Sequence, residues 1–149
     1  MHPLQLLSDT VTWAGKNLSY NLGFIPDDKL TWKPAPDAKS ALEICAEVVH
    51  VLTSIGGMLQ HKEAGEAASF STREAAQNAV EQATADYGQM LLSFGSNDLS
   101  GELDMGFAKM PKARAITLPV VDTIHHHGQI AYIQTLLGDT TSHFQEMGT

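Results

Sequence analysis

The sequence has 149 residues, 43% of them hydrophobic, and a formal net charge of −8, which predicts one domain over residues 1–149 with enough apolar material for a core. The acidic excess, with no offsetting cluster of Lys and Arg, argues against a nucleic-acid partner. No apolar run approaches the roughly 18 residues of a membrane span, no signal peptide is recognisable, and the lone Cys45 excludes an internal disulfide, so we expect a cytoplasmic protein with no membrane partner.

The first predicted helix runs from Leu4 to Leu22, because apolar residues recur there at helical spacing. Gly23 follows the last of them and is typical of a helix end. The segment from Phe24 to Lys39 contains three prolines, which are incompatible with a helix interior. We therefore expect a long connection between the first and second helices.

Two capping boxes predict the starts of the next two helices. The first is Ser40-Ala-Leu-Glu43, and the helix that it opens is expected to end near Leu59. The second is Ser71-Thr-Arg-Glu74, and its helix is expected to end near Phe94. The predicted inner stripe of this third helix consists of Ala75, Ala79, Ala83, Tyr87 and Leu91.

The segment Ser96–Ala115 contains glycines and charges and is predicted to be a loop or a short strand. Pro119 suits the first turn of a fourth helix, which is expected to continue to Leu137. The polar tail Asp139–Thr149 is expected to form a short turn at most. Four helices without further strands predict an all-α protein with a four-helix bundle.

The fourth helix is apolar over most of its circumference, which predicts that it is largely buried. His125 leans toward the expected inner face of this helix. Residues expected to point away from the core are Thr123, His127 and Gln134. The centre of the expected inner face consists of Val121, Ile124, Gly128, Ala131, Tyr132 and Thr135.

Asp122 and His126 are four residues apart on the fourth helix and therefore share a face, with Gln129 beside them. A carboxylate and an imidazole in apolar surroundings need partners, because unpaired buried polar groups are costly. A divalent metal ion is one such partner, and this ligand pair suits zinc, nickel or iron. The alternative is an Asp–His hydrogen-bonded pair without metal.

Glu47 and His50 on the second helix have the carboxylate-x-x-His spacing that metal sites in helical bundles use. The periodicity of the helix opposes this interpretation, since both lie opposite the apolar stripe that includes Cys45. A polar face opposite an apolar one is usually the solvated side. Cys45 itself is predicted to be a buried, unreactive thiol.

Four segments in order resemble the DinB-like (DinB/YfiT) superfamily. They are Leu30-Thr-Trp-Lys-Pro34, Ser40-Ala-Leu-Glu-Ile44, His126-His-Gly-Gln-Ile130 and Tyr132-Ile-Gln-Thr-Leu-Leu-Gly-Asp139. The resemblance covers nearly the whole chain. It implies an up-down-down-up bundle that is often dimeric, and a divalent metal ion bound through three histidines. Characterised members of the superfamily include thiol transferases that use bacillithiol or mycothiol.

The resemblance places the site on Glu47, Asp122 and His126, with His50 and His125 close by. His126 matches the family pattern, whereas Asp122 and Glu47 stand where the family usually has histidine. The leading hypothesis is a metal-dependent transferase or hydrolase for a small-molecule substrate, with a low-molecular-weight thiol as a candidate. The alternative is a metal-free binding or scaffold protein, a homodimer that has lost the three-histidine site.

Overall fold

The computed structural model describes residues 1–145 and contains four long helices, as the sequence predicts. The helices are α1 (Gln5–Leu22), α2 (Ala41–Leu59), α3 (Arg73–Ser93), the short α4 (Lys112–Ala115) and α5 (Leu118–Leu136), with short 3₁₀ turns at Asp27–Lys29 and Ser96–Leu99. The predicted turn in the tail falls partly on residues 146–149, which lie outside the described range.

The long helices form a ring in which α1 and α2 are diagonal, because each of them packs against both α3 and α5. Helices α1 and α3 run in opposite directions. His2, just before α1, lies with its Nε2 3.1 Å from the carbonyl oxygen of Phe94, just after α3. At the other end, the Ser19 hydroxyl donates to a Glu81 carboxylate oxygen at 2.5 Å.

The directions of α2 and α5 complete the topology. Gly56, near the end of α2, lies against Tyr87 in the second half of α3, so these two helices are parallel. Ile44 at the start of α2 shares a cavity with Ile133 near the end of α5, and Met58 at the end of α2 shares another with Leu118 at the start of α5. Helices α2 and α5 are therefore antiparallel, which confirms the up-down-down-up bundle.

The first predicted capping box is confirmed and the second is wrong. The Ser40 hydroxyl accepts a hydrogen bond from the Glu43 backbone N–H at 3.3 Å, and the Glu43 carboxylate accepts one from the Ser40 N–H at 2.8 Å. In α3 the cap is instead Thr72, whose hydroxyl accepts from the Ala75 N–H at 3.2 Å. The helix therefore begins at Arg73, and Glu74 closes no capping box with Ser71.

The predicted inner stripe of α3 is correct only in its second half. Tyr87 and Leu91 are buried, but Ala75 is exposed. At the start of the helix the buried positions are Ala76 and Val80 instead. The reason is geometric, because each step of four residues drifts by about 40° around a helix with 3.6 residues per turn.

The predicted inner face of α5 is also wrong. Val121 is 61% exposed and Tyr132 is 64% exposed, whereas Thr123 is 0% and Gln134 is 3% exposed. Thr123 tolerates burial because its hydroxyl donates to the backbone carbonyl four residues earlier at 2.7 Å, and Gln134 has side-chain and backbone partners. His125, expected to lean inward, is exposed. The buried face of α5 therefore contains hydrogen-bonded polar residues that apolar periodicity assigns to the exposed face.

The segment before α5 contains the short strand that the sequence allowed. Strands β1 (Glu102–Asp104) and β2 (Lys109–Pro111) pair antiparallel, with Leu103 opposite Met110. The turn between them includes Gly106 at a φ of 84°, a backbone conformation that glycine adopts without strain. This hairpin presents Phe107 at its tip, where the side chain is 83% exposed.

The α2 helix differs from the expectation that no apolar run approaches the length of a membrane span. The α2 helix, Ala41–Leu59, is long and apolar enough to cross a membrane by length and composition, with a mean hydropathy of 1.5. Of this window, 44% is buried inside the bundle. The core helices of soluble proteins pass the same test, so the finding is weak evidence for a membrane span.

Candidate functional site between α2 and α5

A cavity of about 570 Å³ lies between α2, α5 and the connection that precedes α2. Three of the four predicted ligands line it, namely Glu47 from α2 and Asp122 and His126 from α5. Because α2 and α5 pack side by side, Glu47 of α2 meets Asp122 and His126 of α5 in one pocket, although Glu47 and His126 are nearly 80 positions apart in the chain.

His126 is the centre of this group and is only 5% exposed. Its Nε2 lies 3.4 Å from Asp122 Oδ1 and 3.7 Å from Glu47 Oε2. Its Nδ1 lies 2.6 Å from Gln129 Oε1. Because an amide oxygen only accepts, Nδ1 carries a proton and donates it to Gln129. The other nitrogen, Nε2, is thereby directed at the two carboxylates.

These neighbours determine the pKa of His126. Burial lowers the pKa, but hydrogen bonds to Asp122 and Gln129 and the negative charges of Asp122 and Glu47 outweigh it and raise the pKa above its ordinary value. The pocket therefore favours a positive charge at Nε2. A proton at this place and a cation bound there gain the same electrostatic advantage.

Asp122 carries an unusual oxygen. Its Oδ2 is buried and has no hydrogen-bond partner, the single such side-chain atom among residues 1–145. Leaving a buried carboxylate oxygen unpaired is costly, so an unpaired oxygen on a residue that lines a cavity points to a missing partner. Two atoms that share a tetrahedral zinc ion lie roughly 3.3–3.4 Å apart, given metal–ligand distances of about 2.0–2.1 Å. The 3.4 Å between Asp122 Oδ1 and His126 Nε2 matches this spacing.

Glu47 fits less well, because it already has a cationic partner. The ammonium group of Lys39 donates to Glu47 Oε2, and the two side chains are 50% and 33% exposed. Across residues 1–145, no three His, Cys, Asp or Glu side chains are arranged to hold a metal ion. The residue types, and the spacing of Asp122 and His126, thus fit a divalent ion, while Lys39 holds the carboxylate of Glu47, the third candidate ligand.

The structure places His50 elsewhere. Its side chain is exposed, its Nδ1 lies 3.4 Å from the Ser54 hydroxyl, and it lines a neighbouring groove and not the pocket of Glu47 and His126. His125 lines both cavities, with its ring centroid 5.1 Å from that of His126. Cys45 is fully buried, and burial raises the pKa of its thiol to about 12, which suits an unreactive core residue.

Two residues of the site were not assigned a role by sequence reasoning. Gln129 follows His126 by three residues on the same helix, and this spacing is the sequence signal for a hydrogen bond between them. Lys39 stands in the proline-rich connection, where no periodicity indicates which way a side chain points. Its contact with Glu47 becomes visible only in the folded chain.

Three solved structures are similar to this chain in fold. A DinB-like protein of Bacillus subtilis superposes with a TM-score of 0.73 at 17% identity, covering 94% of this chain and 96% of its own. A DinB-like protein of Bacillus cereus gives 0.73 at 17% identity, covering 90% and 92%. A conserved protein of Enterococcus faecalis gives 0.71 at 18% identity, covering 91% and 97%.

At these identities the structural matches demonstrate the fold alone. No curated protein matches the sequence. The family model for DinB matches residues 2–149. This match extends over nearly the whole sequence, so the chain belongs to the DinB family.

Proposed function

We propose that this protein is a metal-dependent enzyme of the transferase or hydrolase type, with a divalent ion held by Asp122, His126 and Glu47. The observation that carries the proposal is the buried, unpartnered Oδ2 of Asp122 beside the directed Nε2 of His126. One imidazole and two carboxylates form a ligand set suited to zinc, nickel or iron.

The surrounding residues have definable roles. Gln129 accepts the Nδ1 proton of His126 and thereby fixes the tautomer in which Nε2 is free to bind, as outer partners of metal-bound histidines do. Lys39 pairs with Glu47 in the absence of a metal ion. A divalent ion, when bound, acts as a Lewis acid that lowers the pKa of a water or thiol ligand.

The pocket suits a small-molecule substrate. Its volume of about 570 Å³ lies within the range of ligand sites in proteins, roughly 300–1,000 Å³. Tyr132 lines the pocket while 64% exposed, so its phenol hydroxyl is within reach of a substrate that enters from solvent. A low-molecular-weight thiol is a candidate for this substrate.

The second candidate function is a metal-free binding or scaffold protein. The observation that favours it is the Lys39–Glu47 ion pair, which neutralises the Glu47 carboxylate without metal. In this case no ion occupies the pocket, which binds a ligand without reaction. Under either function we propose a soluble cytoplasmic protein and a homodimer, which light scattering of the purified chain tests.

Thermal unfolding with added metal tests the proposal. Zinc, nickel and iron(II) are titrated into chelator-treated protein, since an ion at 100 times its Kd stabilises the native state by about 2.7 kcal/mol. We expect a rise in Tm that disappears in His126→Ala and in Asp122→Asn and persists in His50→Ala. A rise of the same size in all four proteins, or none in the wild type, contradicts the proposed ligand set.

Activity is then measured on the metal-loaded protein. We expect either transfer of a small thiol to a chloronitrobenzene acceptor or hydrolysis of a nitrophenyl ester, abolished by Asp122→Asn. The metal-free alternative predicts neither reaction at any metal concentration.

A further inference from the structure

A second cavity adjoins the pocket on the other side of Asp122 and His125, and these two residues line both. This cavity is a groove of about 670 Å³ between α2, the β-hairpin and the start of α5. Its walls are mainly aliphatic, thioether and aromatic side chains, among them Val51, Ile55, Met58, Met105, Phe107 and Val121.

The charge of the groove is confined to one end. Among the described residues that line it, none is Lys or Arg, and the one carboxylate is Asp122 at the wall shared with the pocket. The remaining polar side chains are the two imidazoles of His50 and His125 and the hydroxyl of Ser54. An uncharged apolar group fits the rest of the groove without losing hydrogen bonds to water.

Two large apolar residues of the groove are exposed to solvent. Phe107 is 83% and Val121 is 61% exposed, although both border a concave surface. Contiguous apolar surface of this kind marks binding sites on soluble proteins, and ligand sites are concave with few polar groups. The groove and the pocket share Asp122 and His125 in their walls, which favours a small molecule that contacts both cavities.

We propose that this groove is the subsite for an uncharged alkyl or aryl group of the substrate, whose polar reacting end lies beside Asp122 and His126. The assignment of a reacting end rests on the proposed function. The substrate class is therefore an amphiphilic small molecule, with Phe107 of the hairpin covering its apolar part.

The test is a titration of the protein with uncharged n-alkanols from butanol to octanol, followed by NMR. Probes of this kind need no metal, so the groove is measured independently of the ion. We expect single-site binding at residues of the groove, with Kd falling about fourfold per added methylene, as full burial of each methylene from water predicts.

Two substitutions on one helix provide the matched comparison. Val121→Lys places an ammonium group at the groove, whereas Ile124→Lys changes a residue that is 42% exposed on the same helix and borders neither cavity. We expect Val121→Lys to weaken octanol binding at least tenfold and Ile124→Lys to leave it unchanged. Phe107→Ala should weaken it several-fold.

The inference is overturned if Kd does not depend on chain length or if both lysine variants lose binding equally. It is also overturned if the alkanols fail to bind and Val121→Lys converts a native dimer to a monomer, because a second copy then fills the groove. Metal binding by the same variants separates this inference from the proposed function. If a variant loses alkanol binding but binds metal normally, the metal site is supported independently of the groove. If it loses metal binding but binds alkanols normally, the groove is supported independently of the metal site.

Discussion

Helix α5 carries two polar clusters, one facing α1 and one facing α2, and they differ in how completely their hydrogen bonds are made. Toward α1, His127 Nε2 lies 2.7 Å from Asn21 Oδ1, and the Asn21 amide donates to Gln134 Oε1 at 2.8 Å. The Gln134 amide donates in turn to the carbonyl oxygens of Asp139 and Thr141 at 3.2 and 2.9 Å. This cluster is closed.

The cluster that faces α2 is open. Asp122 Oδ2 has no partner, and the Nε2 of His126 lies 3.4 Å from the other oxygen of Asp122. Both residues line the cavity of about 570 Å³. A fully satisfied buried network stabilises one structure, whereas an unsatisfied group beside a cavity indicates a ligand. The first cluster fastens the C-terminal segment to α1, and the second cluster supplies the residues of the proposed metal site.

The largest effect is expected from breaking the closed cluster. Gln134→Ala leaves the Asn21 amide and the carbonyls of Asp139 and Thr141 without their partner, and we expect a loss of about 3 kcal/mol in the free energy of unfolding. Urea denaturation measures it. The control is Thr135→Ala, an exposed position on the same helix, which should change stability by less than about 0.5 kcal/mol. Equal effects would refute the structural assignment.

The next effect concerns the open cluster. Gln129→Ala removes the acceptor of the His126 Nδ1 proton, and we expect metal affinity to fall about 10- to 100-fold. Stability without metal should fall by about 1 kcal/mol, because the buried Nδ1–H of His126 loses its acceptor. Metal titration by calorimetry gives the Kd. An unaltered Kd would show that the His126–Gln129 contact does not orient a ligand.

The two adjacent imidazoles should respond to pH in opposite directions. For His126, burial lowers the pKa, but its neighbours Asp122, Gln129 and Glu47 raise it above its ordinary value of 6.5, whereas burial lowers the pKa of His127 below 6.5. With chelator present, the stability from His126 is complete below pH 6.5 and lost as the pH rises through its folded pKa. The stability from His127 is complete above pH 6.5 and lost as the pH falls through its folded pKa.

NMR titration of the two imidazole signals checks the order of the pKa values. Urea unfolding of His126→Gln and His127→Gln at several pH values checks the effect of each histidine on stability. From α2, Glu47 faces His126. Lys39, from the connection before α2, pairs with Glu47. A His126 that titrates below His127 contradicts the electrostatic account of both clusters.

The smallest effect on stability is expected from Lys39→Met. An exposed ion pair contributes about 0–1 kcal/mol, so the free energy of unfolding should barely change. Metal affinity should nevertheless rise, because Glu47 no longer has a competing cation. Thr31→Met, an exposed position earlier in the same connection, serves as the control. Weaker metal binding in Lys39→Met would show that Lys39 supports the site and does not compete with it.

Local signals in the sequence predict the fold well. The Ser40 cap, the prolines between α1 and α2 and the position of Pro119 place the long helices within a few residues. Periodicity fails on α5 because the buried Thr123 and Gln134 are polar. Their burial depends on hydrogen bonds, and Gln134 finds its partners on Asn21 and the distant Asp139–Thr141 segment, which no local pattern reveals.

Local signals also predict part of the site. The Asp122–His126 pair lies on one helix, so its spacing is visible in the sequence. The periodicity of α2 predicts a solvated Glu47, but the side chain is only one-third exposed. Periodicity does not distinguish such a half-buried position from a fully exposed one. The groove beside it depends on Phe107, which a hairpin brings from a distant segment.

The most direct test of the central claim is a count of metal ions per chain, by elemental analysis of tag-free protein purified without chelator. The account predicts a near-stoichiometric content of zinc, nickel or iron in the wild type. It also predicts loss of that metal in His126→Ala and retention in His127→Gln, whose residue belongs to the closed cluster. A wild-type content near zero that stays near zero after metal is added back, or equal metal in His126→Ala, contradicts the account.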